Sequence, residues 1–78
     1  MNKNWNLDDA IKSSKQAIEY DKTGDYRNAI KKYAESAEIL FEFAKRNAGN
    51  KSYEVYQNKA MEYLTRGEEI KRIYETSN

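Results

Sequence analysis

The strongest constraint on this chain is the tripeptide Gly24-Asp25-Tyr26, set between two stretches whose apolar residues recur every three and four positions. That recurrence is the period of one helix face. A glycine ends a helix by taking a backbone conformation that side chains disfavour, and an aspartate beside it offers an oxygen to the free N–H groups opening the next helix. Two helices joined so tightly must fold back on one another. The first half of the chain is therefore read as an antiparallel helical hairpin.

The spacing predicts a first helix over about residues 7–22, with Leu7, Ala10, Ile11, Ser14, Ala17, Ile18 and Asp21 on one face. Asn6 is its N-cap, Asp8 and Asp9 suit the positive end of the helix dipole, and Trp5 folds back onto Ala10 as a hydrophobic staple. A second helix over about 26–47 carries Tyr26, Ala29, Ile30, Tyr33, Ala37, Leu40, Phe41 and Ala44 on one side. Ile39 and Phe43 widen this stripe on one shoulder and Ala34 on the other, so helix 2 must touch two neighbours. Asn47-Ala48-Gly49-Asn50 ends it, and Asn50 or Ser52 caps the next helix. In this third helix, over about 52–75, Tyr53, Tyr56, Ala60, Tyr63, Gly67, Ile70 and Tyr74 alternate steps of three and four. Gly67 lies in that seam, where glycine costs roughly 1 kcal/mol against alanine, which implies close approach of a neighbouring backbone. Short connections make consecutive helices antiparallel, so the fold class is all-α: an up-down-up antiparallel three-helix bundle, one domain over residues 1–78, monomeric in isolation.

A chain of 78 residues with no Cys, His or Pro has neither disulfide nor zinc to staple it and must rely on packed helix seams. Charged residues make up 35% at a net charge of +1, so no single-sign field marks it for nucleic acid. The basic pairs Lys31-Lys32 and Lys45-Arg46 sit beside acidic residues and read as solvated helix faces. The longest apolar run, Ile39-Leu40-Phe41, is far short of the roughly 18 residues that span a membrane. Met1 to Trp5 has a positive residue with no apolar stretch behind it and is not a signal peptide, so a cytoplasmic protein without direct membrane insertion is expected.

Asn50-Lys51-Ser52 formally matches a glycosylation acceptor but reads as a turn and cap. Without Cys and His, thiolate nucleophiles, imidazole bases and the usual zinc ligands are missing. Asp21, Thr23 and Asp25 resemble the start of a calcium loop, yet Gly24 is misplaced and Lys32 stands where the closing Glu belongs. The glycines at 24, 49 and 67 form no phosphate loop, and the adjacent pairs Asp8-Asp9 and Glu68-Glu69 diverge on their helices. The chain is read as non-enzymatic, with no cofactor and no metal. On helix 3, Gln57, Met61, Leu64 and Glu68 form one flank of the seam, and Val55, Lys59, Arg66 and Ile73 the other. These flanks either widen the core or border a groove for an incoming amphipathic segment.

The pattern Leu7, Ala10-Ile11, Ala17, Asp21-Lys22, Tyr26, Ala29, Tyr33, then Tyr63-Leu64, Arg66, Glu68 and Lys71 resembles the microtubule-interacting and trafficking (MIT) domain. It is most similar to the version heading the vacuolar-sorting AAA ATPases that disassemble ESCRT-III polymers, and the likeness runs from Leu7 to about Tyr74. The resemblance implies a three-helix bundle that recruits its host by binding C-terminal tails of ESCRT-III-type subunits on membrane-associated assemblies, in protein transport, membrane remodelling or cell division. Helical leucine-rich tails would lie between helices 2 and 3, against Gln57, Met61, Leu64 and Glu68 facing Ala34, Ala37, Glu38 and Phe41. Extended proline-containing tails would lie between helices 1 and 3, against Ile11, Ser14 and Ile18 facing Val55, Lys59, Arg66 and Ile73. Ser14 is smaller than the residue such domains often carry there, and Gly67 replaces the usual Ala.

Two other readings compete. A tetratricopeptide hairpin shares the Gly-Asp-Tyr, Ala and Tyr spacing after Tyr20, but 34 residues on, Glu54, Asn58 and Ala60 break the repeat. A structural coiled-coil hairpin fits the heptad of helix 3 but leaves the two shoulders of helix 2 unexplained.

Overall fold

Asn6 opens the first helix of the computed structural model, which describes residues 5–77. Its side-chain oxygen accepts from the Asp9 N–H at 3.0 Å, and the Asp9 carboxylate accepts from the Asn6 N–H at 2.9 Å, so two orphan donors are satisfied reciprocally. Helix α1 (Leu7–Lys22) then runs to a turn in which Gly24 takes φ +79° and the Asp25 N–H closes back on the Tyr20 carbonyl at 2.9 Å. The Asp25 carboxylate caps α2 (Tyr26–Arg46) through the backbone and side chain of Asn28.

Asn47 ends α2 by donating its side-chain amide to the Phe43 carbonyl at 2.7 Å, one residue earlier than the spacing suggests. Gly49, at φ +97°, turns the chain, and the Asn50 side chain accepts the Ser52 N–H at 2.7 Å to start α3 (Ser52–Ser77). Helix α3 continues two residues past the expected end near 75, because no glycine or proline stops it there. Met1 to Asn4, on which the reading of the N-terminal segment partly rests, lie outside the described residues. Among the described residues no helix is long and apolar enough to cross a membrane.

The three helices form an up-down-up bundle, with no strand among the described residues. Helix α2 is its centre: it packs on both α1 and α3, whereas the backbones of α1 and α3 scarcely meet. One core cluster gathers Ala10, Ala37, Ile39, Leu40 and Ala60, with Trp5 packed against it; the other gathers Ala17, Ala29, Tyr33 and Ile70. On α1 the buried residues are all small, Ala10, Ser13, Ser14 and Ala17, while Leu7, Ile11 and Ile18 stay exposed. Small residues let α1 lie close on α2. Buried Ser13, which the apolar stripe passes over, satisfies its hydroxyl by donating to Glu35.

A Cβ added at Gly67 would meet Tyr33 Cβ at 3.4 Å, so the close neighbour is a side chain of α2 and not its backbone. That is ordinary contact distance, and a methyl group fits. Gly67→Ala is accordingly expected to fold and to gain roughly 0.5–1 kcal/mol, because it removes the glycine's helix penalty. A urea titration checks this, and a loss of stability would mean that Tyr33 leaves no space.

Candidate functional site

Where α2 and α3 pass each other beside Gly67, a pocket of about 210 Å³ opens, lined by Ile30 and Ala34 from α2 and by Tyr63, Leu64, Gly67, Glu68 and Lys71 from α3. Helical periodicity builds it. Ile30 and Ala34 are four apart on one shoulder of α2, and Leu64, Glu68 and Lys71 follow one line on α3. Leu64 is 38% exposed and belongs to neither core cluster, an arrangement that leaves a large aliphatic group facing solvent. Glu68 and Lys71, both exposed, add one charge of each sign to the lining.

Behind the pocket, three helices meet at one carboxylate. Asp21 at the end of α1 accepts from Arg66 Nε and Nη2, each at 2.8 Å, and from the Tyr33 hydroxyl at 2.9 Å. The remaining nitrogen of that guanidinium, Nη1, lies 3.3 Å from Glu69. The Arg66 hydrogen bonds, supported by that from Tyr33, hold the Asp21 carboxyl below its ordinary range against the opposing effect of burial. Burial, and then the Asp21 contact, pushes the Tyr33 hydroxyl up to about 12, while Asp21 raises the Arg66 guanidinium further above its already high value.

Because the folded pKa of Asp21 is depressed, its stabilisation is complete above the unfolded value of about 3.9 and is lost as pH falls through the lower folded value. Stability should fall with pH below about 4, and Asp21→Asn should flatten that part of the profile measured by denaturant titration. An unchanged slope would assign acid unfolding to other carboxylates.

Along the α1/α3 face the large side chains are exposed: Ile11 and Ile18 on α1, Val55 on α3. Ser14 is buried and donates to the Ile11 carbonyl at 2.9 Å, so it offers an incoming peptide little. Lys59 is held near Glu62 at 3.3 Å and lies 5.6 Å from the Tyr63 ring centroid. Arg66 is committed to Asp21 and Glu69. Ile73 follows Arg66 by seven residues, about 10 Å along α3, whereas α1 ends one residue after Asp21. It therefore lies beyond the stretch that α1 flanks.

The model of the MIT (microtubule interacting and transport) domain family matches residues 7–72, which takes in α1, α2 and most of α3. This chain belongs to the MIT domain family. No curated protein and no solved structure matches it. The match crosses all three helices, which sets aside the two-helix tetratricopeptide and coiled-coil readings. MIT domains are protein-interaction modules rather than catalysts.

In this MIT domain the pocket gathers Ala34, Leu64 and Glu68 from the residues expected between helices 2 and 3. Ala37, which the resemblance places in the groove, is 2% exposed in the core, and Phe41, placed there with it, is half-buried against the same cluster; neither lines the pocket. Glu38 and Met61 are exposed and Gln57 is half-buried, all outside the pocket lining. Ile30, Tyr63 and Lys71 were not foreseen as lining residues, and Gly67 only as a replacement of the usual Ala that opens room beside Leu64. Their signal was present in Ile30 four before Ala34 and Lys71 seven after Leu64.

Proposed function

We propose that this MIT domain binds C-terminal tails of ESCRT-III-type subunits by seating an amphipathic helix, with leucines at helical spacing, in the α2/α3 pocket. In doing so it recruits an attached AAA ATPase to membrane-associated polymers in the cytoplasm for their disassembly. The observation that carries this reading is the pocket itself: an apolar lining of Ile30, Ala34 and Leu64, together with Glu68 and Lys71, fits a helix with one apolar face and charged flanks. The resemblance of the sequence to the ATPase-linked MIT domains supplies the class of partner.

Titrating the isotope-labelled chain with tail peptides tests the proposal. Amide shifts should move at Ile30, Ala34, Leu64, Gly67 and Lys71. Shifts centred on Ile11, Ser14 and Arg66 would place the peptide on the α1/α3 face, and the absence of any shift would end the recruitment reading.

A further inference from the structure

The Tyr33 ring is almost fully buried, so its hydroxyl needs a partner inside the protein. Asp21 provides it at 2.9 Å, and Asp21 is itself fixed by the two-pronged grip of Arg66. Tyr33 is thereby held at its hydroxyl end. At the other end its Cβ faces Gly67, 3.4 Å from where a side chain there would begin. Its face stacks on Tyr63 with centroids 6.0 Å apart and planes inclined by 30°. Gly67 and Tyr63 both line the α2/α3 pocket, whereas Asp21 and Tyr33 do not. A contact on the α1 side of the bundle thus bears on the part of α3 that shapes the opening.

We propose that Asp21 is a positioning residue for the α2/α3 pocket: through Tyr33 it sets how α3 lies against α2 at Tyr63 and Gly67, and hence the opening that a docked helix meets. The effect on a docked helix rests on the function proposed above; the effect on the pocket does not. A clamp that served stability alone would leave the pocket unchanged once the protein was folded. A positioning residue alters the pocket of the folded protein.

The test uses Asp21→Asn, which keeps the shape but drops the charge that holds Arg66, and Tyr33→Phe, which keeps the ring but drops its anchor. Both are compared with the unaltered chain at a temperature where all remain folded. In the free protein, Asp21→Asn should move the Tyr63 ring and Gly67 amide resonances although Asp21 lies outside the pocket. The probe is a synthetic amphipathic helical peptide with leucines at helical spacing and basic residues between them. Each variant should weaken its binding on the order of three- to tenfold, the effect of one hydrogen bond. The double variant should lose little more than the worse single one, since both break the same link. Lowered melting temperatures with unmoved Tyr63 and Gly67 resonances and unchanged affinity would overturn the proposal. If the unaltered chain bound no peptide, the docking reading would fail by itself. The free-protein resonances would still decide, moved ones supporting the positioning role and unmoved ones refuting it.

Discussion

Replacing Ile70 by Ala should cost this domain about 2–5 kcal/mol, the range for truncating a fully buried isoleucine. Ile70 is 0% exposed and is the one large aliphatic residue among the buried members of its cluster, where its companions are Ala17, Ala29 and Tyr33. The two alanines cannot extend into the void, and Tyr33 is held by Asp21, so the cavity should persist instead of collapsing. A chain of 78 residues has a total stability on the order of 4–12 kcal/mol, so the loss would be a large share of it. Each kcal/mol shifts the midpoint by roughly 4–8 °C at this size, which predicts a fall of at least about 8 °C in a circular dichroism melt. Ile70→Val should cost only about 0.5–1.5 kcal/mol. Equal and small effects from the two variants would mean that the site repacks and that the core is looser than its geometry shows.

The helices themselves were legible because their ends carry local chemistry. Asn6, Gly24, Asp25, Asn47 and Asn50 each act within a few residues of where they stand, through hydrogen bonds that span at most five positions. The two shoulders of α2 likewise announced two neighbours, since a helix buries only as much surface as its partners cover. What periodicity could not settle was depth. Ala34 and Ala37 lie one turn apart on the same apolar side, yet one is exposed in the pocket and the other buried in the core. Their difference depends on where α3 crosses, which no local pattern encodes.

The same limit explains α1, where the large residues Ile11 and Ile18 remain outside and the polar Ser13 goes inside. Close packing on α2 selects small side chains, and Ser13 finds its acceptor, Glu35, 22 residues away. The link between Asp21 and Arg66 spans 45 residues. An aspartate closing an apolar stripe was the local hint of it, because a carboxylate at such a position needs a partner.

Leu64 offers the sharpest test of function, because it is prominent in the pocket and dispensable to the core. Burying a leucine side chain against a ligand is worth about 1.5–3 kcal/mol, so Leu64→Asp should weaken tail-peptide binding by at least about tenfold. The new carboxylate would also stand four residues before Glu68, doubling the negative charge where an apolar group must enter. The fold should survive, since Leu64 lies outside both core clusters and surface substitutions usually change stability by no more than about 0.5 kcal/mol. Glu68→Lys should weaken binding less, and the attraction it removes should fade as salt is added, because an exposed charge is screened where a buried leucine is not. Calorimetry at two ionic strengths separates the two contributions. If Leu64→Asp bound the peptide as well as the unaltered chain, the tail would have to lie elsewhere, and the exposed row of Ile11, Ile18 and Val55 would become the surface to mutate next.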